Sequence, residues 1–293
     1  MNPPALFSRR DFLAATAAAA AATATRARGA AAAAPAAGLV DTHVYLGRWP
    51  FRRAPLDEPA ALVAKLRAHG VTAAWAASLD ALLHKDIAGL NARLAEECAR
   101  HGAGLLVPVA ALNPSLLGWE RELRRCASEH RMRAVRLHPN YHRYTLADPL
   151  AARVLGLAAE LGLLVQIPLL MEDERTIHPL VNVPPVNAAP LADLLKKIPA
   201  LRVQLLNAHR TLRGAPLLSL AAQGVHFDLS NLEGVEGVTH LLSQLPVQRL
   251  CFGSYAPVFY FEAAMLKLKE SVLDDATLAA VRSANAHRLL ARA

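Results

Sequence analysis

The stretch Gly38-Leu39-Val40-Asp41-Thr42-His43-Val44-Tyr45 decides how the rest of the chain is read. It is an apolar run with the character of a strand, and side chains two apart share a face. Asp41, His43 and Tyr45 are thereby predicted to stand in one row at the carboxyl end of that strand. A strand ending His-x-His offers two imidazoles to a metal ion; here the second position is Tyr45, so the pair is incomplete.

The same kind of run returns seven times, at Val71–Ala77, Gly104–Ala110, Arg133–His138, Leu163–Pro168, Arg202–Asn207, Val225–Leu229 and Arg249–Gly253. Helical patterns fill the gaps: Glu58–His69, Asp86–His101, Pro114–Arg131, Pro149–Leu161, Leu191–Ile198, Pro216–Gln223, Val238–Gln244 and Phe259–Leu273, with a last helix over Ala276–Ala291. The pairs His69-Gly70, Leu161-Gly162 and Gln223-Gly224 put glycine just past a helix end, where a left-handed residue is wanted. Strands alternating with helices predict a parallel sheet, and eight strands suffice to close a (β/α)8 barrel of the TIM type. The alternative is an open doubly wound sheet, but no Gly-x-Gly-x-x-Gly turn follows the first strand, so a dinucleotide site has no support.

Ahead of the barrel stands a different kind of sequence. Ser8-Arg9-Arg10-Asp11-Phe12-Leu13 resembles a twin-arginine motif, and an Ala-rich run follows to Thr25, then Arg26, Arg28 and small residues to Ala37. Residues 1–37 are therefore expected to be a twin-arginine-type signal and residues 38–293 the barrel, in a protein exported to the periplasm or secreted. The export machinery would be its partner; a disordered Ala-rich tail is the plainer alternative. The apolar run is short and interrupted for a spanning helix, and nothing later resembles one. Roughly 255 residues remain, the usual size of one such barrel.

The signal removes four arginines and one aspartate from 32 basic and 24 acidic residues, leaving 28 and 23, a net charge of +5. Arg121, Arg124, Arg125 and Arg153 are scattered over helices rather than gathered with aromatics, so nucleic-acid binding is unsupported. The positive balance suits an anionic small-molecule substrate. Cys98, Cys126 and Cys251 show neither close pairing nor metal spacing and read as buried thiols.

In such barrels chemistry sits at the carboxyl ends of the strands. Those ends carry Asp41, His43 and Tyr45; Ser78 and Asp80; Asn113; Arg136, His138 and His142; Gln166, Glu172 and Arg175; Asn207 and His209; His226, Asp228 and Glu233; Ser254 and Tyr255. Unpaired burial costs about 1–3 kcal/mol for each polar group, so their convergence asks for a pocket. The loop Arg48-Trp49-Pro50-Phe51-Arg52 reads as an anion dock or a lid, and the Pro-rich stretch His178–Pro190 as an active-site loop.

Asp41-Thr42-His43, Arg136-Leu137-His138-Pro139, Phe252-Gly253-Ser254 followed by Pro257, and Asn285-Ala286-His287-Arg288-Leu289 occur in an order and spacing that resembles the amidohydrolase superfamily. The closest likeness is to its amidohydrolase-related (amidohydrolase 2) branch of decarboxylases, lactonases and hydratases. The resemblance covers the whole chain after the signal. It implies a divalent site built on a first-strand His-x-His, a fifth-strand histidine and an eighth-strand aspartate. Here those positions fall at Tyr45, near Gln166-Ile167-Pro168, and at Tyr255. His43 and His209 remain as metal candidates, fewer than the three protein ligands usual for catalytic zinc. The cofactor expectation is accordingly none, or one zinc or manganese ion, held by His43 and His209 or relocated to His138, His142, Glu172 or Asp228.

The expected catalytic groups are His138, Asp228 and His43. Neutral imidazoles both donate and accept near pH 7, and a carboxylate inside a barrel needs a partner. Tyr45, His142, Glu172, Arg175, Asn207 and Tyr255 are the expected substrate contacts, the phenols as donors to an oxyanion or as fillers of the space a metal would take. Ser230 and Ser254 lack a nucleophile-elbow pattern. The expected function is hydrolysis or decarboxylation of a small molecule, an anion being favoured, at the carboxyl face of the barrel. The alternative is a non-catalytic barrel that binds a ligand or a partner protein. Substrate, reaction type and oligomeric state, a homo-oligomer being one option, are open at this stage.

Overall fold

A computed structural model of the protein describes residues 38–291 apart from 50–52, 103, 174, 176, 178–180 and 182. The expected signal over residues 1–37, Pro50–Arg52 of the basic–aromatic loop and part of the Pro-rich stretch thus lie outside the described residues.

The predicted strands form close to their expected bounds: β1 (Leu39–Leu46), β2 (Val71–Ser78), β3 (Leu106–Pro108), β4 (Ala110–Leu112), β5 (Ala134–Leu137), β6 (Leu164–Pro168), β7 (Arg202–Leu206), β8 (His226–Asp228) and β9 (Leu250–Cys251). All pair in parallel, in the orders β1-β2-β3 and β4 through β9. The predicted third strand is divided at Val109: β3 pairs with β2 and β4 with β5, while the Val109 amide donates to Ala76 O at 2.8 Å. One continuous stretch therefore joins the two sheets. The opposite seam closes through Thr42 N to Phe252 O (3.0 Å), Tyr255 N to His43 O (2.8 Å) and Tyr45 N to Ala256 O (2.9 Å). Among the described residues eight strand positions complete the barrel and leave no sheet edge to protect.

Helices cover the outside, among them α1 (Pro59–Ala68), α2 (Ile87–Gly102), α3 (Trp119–Ser128) and α4 (Pro149–Glu160). Pro59 occupies the first turn of α1, where its missing N–H goes unneeded. Gly70, Gly162 and Gly224 adopt φ of +73°, +65° and +98° just past helix ends, as their positions predict. The helix expected over Pro114–Arg131 is shorter, because Gly118 at φ +79° starts it and Arg131 at φ +52° lies beyond its end. Among the described residues no helix is long and apolar enough to cross a membrane.

The large apolar cluster lies between strands and helices, where Leu62, Leu66, Leu123, Val154, Leu155 and Leu220 meet Leu39, Val44, Val135 and Val203. A second cluster fills the barrel itself with Val40, Trp75, Val109, Ala134, Leu164 and Cys251. The last helix plugs its amino-terminal end with Ala286 and Leu289. A π turn at Ala280–Ala284 leads into Asn285–Leu290. Asn285 Nδ2 donates to Val247 O (2.7 Å) and Leu250 O (2.6 Å), so this asparagine ties the helix to β9. Arg202 Nη1 caps the final carbonyls of Leu289 (2.9 Å) and Ala291 (2.6 Å).

Above the apolar filling lies a polar layer. Arg136, wholly buried, donates from Nε and Nη2 to Gln166 Oε1 (3.0 and 2.7 Å) and from Nη1 to Val44 O (3.0 Å). Gln166 Nε2 donates to Gln204 Oε1 (2.8 Å), and Gln204 Nε2 to Thr42 Oγ1 (2.8 Å). This layer is the floor of the candidate site.

Candidate functional site

The expected single row of Asp41, His43 and Tyr45 is broken. The β1–β2 register shifts between Asp41 and Val44, and such an irregularity re-aims side chains. Thr42 turns its hydroxyl inward to Gln204. Asp41 instead accepts from Ser254 Oγ (2.5 Å), Ser254 N (2.9 Å) and, within its own strand, His43 N (3.1 Å). Burial lifts its carboxyl to about 7 against those bonds. Asp41 thus locks β1 to the segment after β9.

His43 stays in the mouth. Its Nδ1 lies 2.7 Å from Asp228 Oδ2, both side chains being wholly buried. Asp228 also accepts the Asn207 amide on Oδ1 (2.9 Å), while the Ser230 hydroxyl donates between Asp228 Oδ2 (2.6 Å) and Asn207 Oδ1 (2.5 Å). Burial opposes ionisation of Asp228, but the His43 and Ser230 bonds prevail and hold its carboxyl below the ordinary carboxylate range. Burial pulls His43 down to about 4 despite its carboxylate partner. At neutral pH the pair is therefore a neutral imidazole against a carboxylate, with the proton on Nδ1. Nε2 of His43 is left buried and without a hydrogen-bond partner among the described residues.

Room for this pair comes from Gly253. A Cβ there would stand 2.8 Å from Asp228 Cβ and 3.0 Å from His43 Cβ. The Phe252-Gly253-Ser254 motif thus has a steric reason.

On the other side of the mouth, His138 Nε2 meets the Tyr45 hydroxyl at 2.9 Å, and His138 Nδ1 is again partnerless among the described residues. Burial keeps His138 well below the usual imidazole range. The Arg136 guanidinium lies 4.4 Å from the Tyr45 ring centroid, a cation–π contact within the barrel. Burial raises the Tyr45 phenol to about 12. Tyr255 stacks on His43 with centroids 4.5 Å apart and planes 19° from parallel, and its hydroxyl donates to Met171 O at 2.5 Å. Its phenol is raised well above the ordinary value by burial. Both tyrosines are neutral donors.

The remaining expected residues divide. His142 is buried but spends Nε2 on Ala81 O (2.9 Å), edge-on to His138 at 6.0 Å. Asn207, at φ +50°, bonds Leu170 O through Nδ2 (2.8 Å) and so positions loops as well as Asp228. Glu172 is buried and lines a cleft of about 10 Å³ with Met171, Asn207, Asn231 and Phe259. Arg175 is set apart: it is 70% exposed and forks onto Asp173. His209 donates from Nε2 to Asp228 O at 2.8 Å and takes Asn231 Oδ1 on its amide. Of the basic–aromatic loop, Trp49 is buried in the mouth cluster and Arg48 pairs with Glu58 in solvent.

Sequence reading passed over Ser230, Asn231, Met171 and Phe259 as site residues. Ser230 could have been found as the hydroxyl two residues beyond Asp228; Met171, which meets the Tyr255 hydroxyl with its backbone carbonyl and the Tyr45 hydroxyl with its sulfur (3.7 Å), reads in sequence only as an apolar residue.

The divalent ion implied by the family resemblance does not fit this donor set. Among the described residues no group of three or more His, Cys, Asp or Glu side chains could hold a metal. Tyr45 and Tyr255 are neutral phenols committed to His138 and Met171, and His209 is committed to a backbone carbonyl. The unpartnered imidazole nitrogens at the mouth, Nε2 of His43 and Nδ1 of His138 and His142, do not form a group of three that could hold the ion among the described residues, against the three ligands usual for catalytic zinc.

The whole-chain comparisons agree on the fold. A 2,6-dihydroxybenzoate decarboxylase from Rhizobium superposes with a TM-score of 0.66 at 16% identity, covering 86% of this chain and 98% of its own. A dihydroxybenzoic acid decarboxylase from a Polaromonas species, solved with manganese and 2-nitroresorcinol, gives 0.65 at 14% identity, covering 86% and 96%. A 5-carboxyvanillate decarboxylase from Sphingomonas paucimobilis gives 0.64 at 13%, covering 86% and 98%. No curated protein matches the sequence. The model of the family described as Amidohydrolase matches residues 40–292, nearly all of the barrel, and the chain therefore belongs to that amidohydrolase family.

Proposed function

We propose that the protein is an amidohydrolase-family barrel enzyme that hydrolyses or decarboxylates a small molecule by acid–base chemistry, without a resident divalent ion. The observation that carries this reading is the His43–Asp228 pair. Asp228 fixes the tautomer, and Nε2, unpartnered and neutral at pH 7, is left as the base. In a hydrolysis His43 Nε2 takes a proton from water as the water oxygen bonds to the substrate's carbonyl carbon; Asp228 stabilises the imidazolium, which returns that proton to the leaving group as the bond to it breaks. His138, whose Nε2 is held by the Tyr45 hydroxyl and whose Nδ1 is unpartnered, supplies a neutral donor for the oxyanion. The net positive balance and the relatives' aromatic acids, including a 2,6-dihydroxybenzoate complex, make hydroxybenzoates, together with small esters and lactones, the first compounds to assay.

The test is turnover on that panel before and after chelator treatment, in the wild type and in His43→Gln and Asp228→Asn. Activity that survives chelation and falls in both variants supports the reading. Activity that needs added manganese, or that ignores both substitutions, removes it. A ligand-binding barrel is the second reading, favoured by the closeness of the mouth, where Tyr45, Tyr255, Trp49 and Met171 pack together. Ligand-induced stabilisation without turnover would select it.

We also propose export through the twin-arginine route, on the strength of Arg9-Arg10 and the run that follows. Replacing both with lysine should leave the unprocessed precursor in the cytoplasm; unchanged processing would count against it.

A further inference from the structure

A cavity of about 500 Å³ runs between α3 and the segment Lys85–Ala88, which leads into α2. Arg121, Glu122, Arg125, Ser128 and Glu129 recur along it at the three- and four-residue spacing of one helix face. None of the lining residues belongs to the His43–Asp228 network, so the cavity is separate from the mouth. Its size is that of a small-molecule pocket, which favours such a ligand over a protein partner.

The charges around this cavity are unevenly matched. Each of its carboxylates has a donor: Asp86 takes the Gly89 amide, Glu122 takes Asn91 Nδ2 and Glu129 takes Arg125 Nε, all at 2.9 Å. Arg125 is thereby committed. Lys85, Arg121 and Arg124 line the same cavity and make no ion pair or side-chain hydrogen bond among the described residues. The fold thus gathers two arginines that look scattered in the sequence and sets a lysine beside them. Arg121 and Arg124 stand three apart on α3, where like charges repel. Arg121 also lies in the first turn, where the helix's own field disfavours a cation. A bound anion would offset both effects.

An apolar wall completes the cavity. Leu112, Leu116 and Trp119 line it beside the cations, and Leu117 among the lining residues is wholly exposed. A bare inorganic anion would leave that wall wet, and a neutral apolar molecule would leave the cations unmatched. We infer that the cavity beside α3 is a binding site for a small organic carboxylate with a hydrocarbon body. The carboxylate meets the guanidiniums of Arg121 and Arg124, whose forks match its two oxygens, with Lys85 adding charge from the facing segment. The hydrocarbon part lies on Leu116, Leu117 and Trp119.

The test reads binding rather than turnover, so it stands or falls separately from the proposed activity. The purified protein is titrated calorimetrically with octanoate at pH 7 and low salt, where exposed charges are least screened. Octanoate should bind at one equivalent. The double variant Arg121→Gln, Arg124→Gln should bind it about ten-fold more weakly. Both side chains are exposed, and an unchanged thermal midpoint shows that the variant is folded. Octanamide, the neutral counterpart, should bind the wild type about ten-fold more weakly than octanoate. His43→Gln should leave octanoate binding as it is, because the cavity lies apart from the mouth. Octanoate that fails to saturate, or that binds the double variant as tightly as the wild type, overturns the site. Binding lost in His43→Gln places the carboxylate in the mouth and overturns it equally. Equal affinity for octanamide and octanoate overturns the part given to the cations.

Discussion

At the scale of single residues the site turns on which nitrogen of His43 carries the proton. Asp228 is itself held by the Asn207 amide and the Ser230 hydroxyl, so it can orient the ring without rotating. Asp228→Asn removes the negative charge and offers an amide where Nδ1–H needs an acceptor. Turnover should fall by about 10²–10⁴-fold, and the ring's tautomer, read from imidazole ¹⁵N shifts, should move away from pure Nδ1–H. An unchanged tautomer would remove Asp228 from its role even before a substrate is known. Gly253 is the second residue on which the pair depends. Gly253→Ala forces a methyl against Asp228 Cβ and His43 Cβ at 3.0 Å or less. Overpacking of this kind should lower stability by about 1–3 kcal/mol, measured by urea unfolding; a loss within error would show that the pair yields easily.

At the scale of elements the barrel was legible and the mouth was not. Each predicted strand formed because its apolar run was bounded by turn residues, and the seam at Val109 left the predicted third strand in place as two pieces. The shift within β1 was not legible, because it depends on Asp41 finding Ser254 some 213 residues away. The sequence showed that Tyr45, the region near Pro168 and Tyr255 depart from the family's metal pattern. It could not show that His43 would be held by Asp228, or that Tyr255 would lie on the imidazole, since both contacts are made only when the barrel closes. Arg136 was visible as part of a motif, and its role is structural. Its guanidinium bonds Gln166 and backbone carbonyls from β1 and β2 across the barrel. Arg136→Met would leave Gln166 Oε1 and those carbonyls buried with fewer donors, at a cost of about 1–3 kcal/mol for each acceptor left unpaired. Denaturation in urea would register it as a lower midpoint with an unchanged slope; a variant as stable as the wild type would mean that water replaces the guanidinium.

At the scale of the whole molecule, buried titratable groups set how stability follows pH. Burial holds His43 and His226 each at about 4, below the ordinary 6.5. In the unfolded chain both take up protons as pH falls through 6.5, while in the folded chain they resist until about 4. Their contribution is complete above 6.5 and is lost as pH falls toward 4. Asp41 has the opposite sign. Its folded value of about 7 lies above the ordinary 3.8, so its contribution is complete below 3.8 and is lost as pH rises through 7. Five histidines held low by burial (His43, His138, His142, His209 and His226) outweigh one aspartate as pH falls below 6.5, and the depressed carboxyls of Asp228 and Asp173 act in the same sense below 3.8. Net stability should therefore decline on the acid side. His226 sits on β8 two residues before Asp228 and takes no part in the His43 network, so it separates this effect from the site. His226→Gln should flatten the acid decline by at most one proton, about 1.4 kcal/mol per pH unit. Asp41→Asn should steepen it. Urea midpoints taken at half-unit steps from pH 4 to 8 would resolve both slopes. Parallel curves for His226→Gln and the wild type would mean that the folded protein protonates this imidazole as readily as the unfolded chain does, and that its burial does not couple folding to pH.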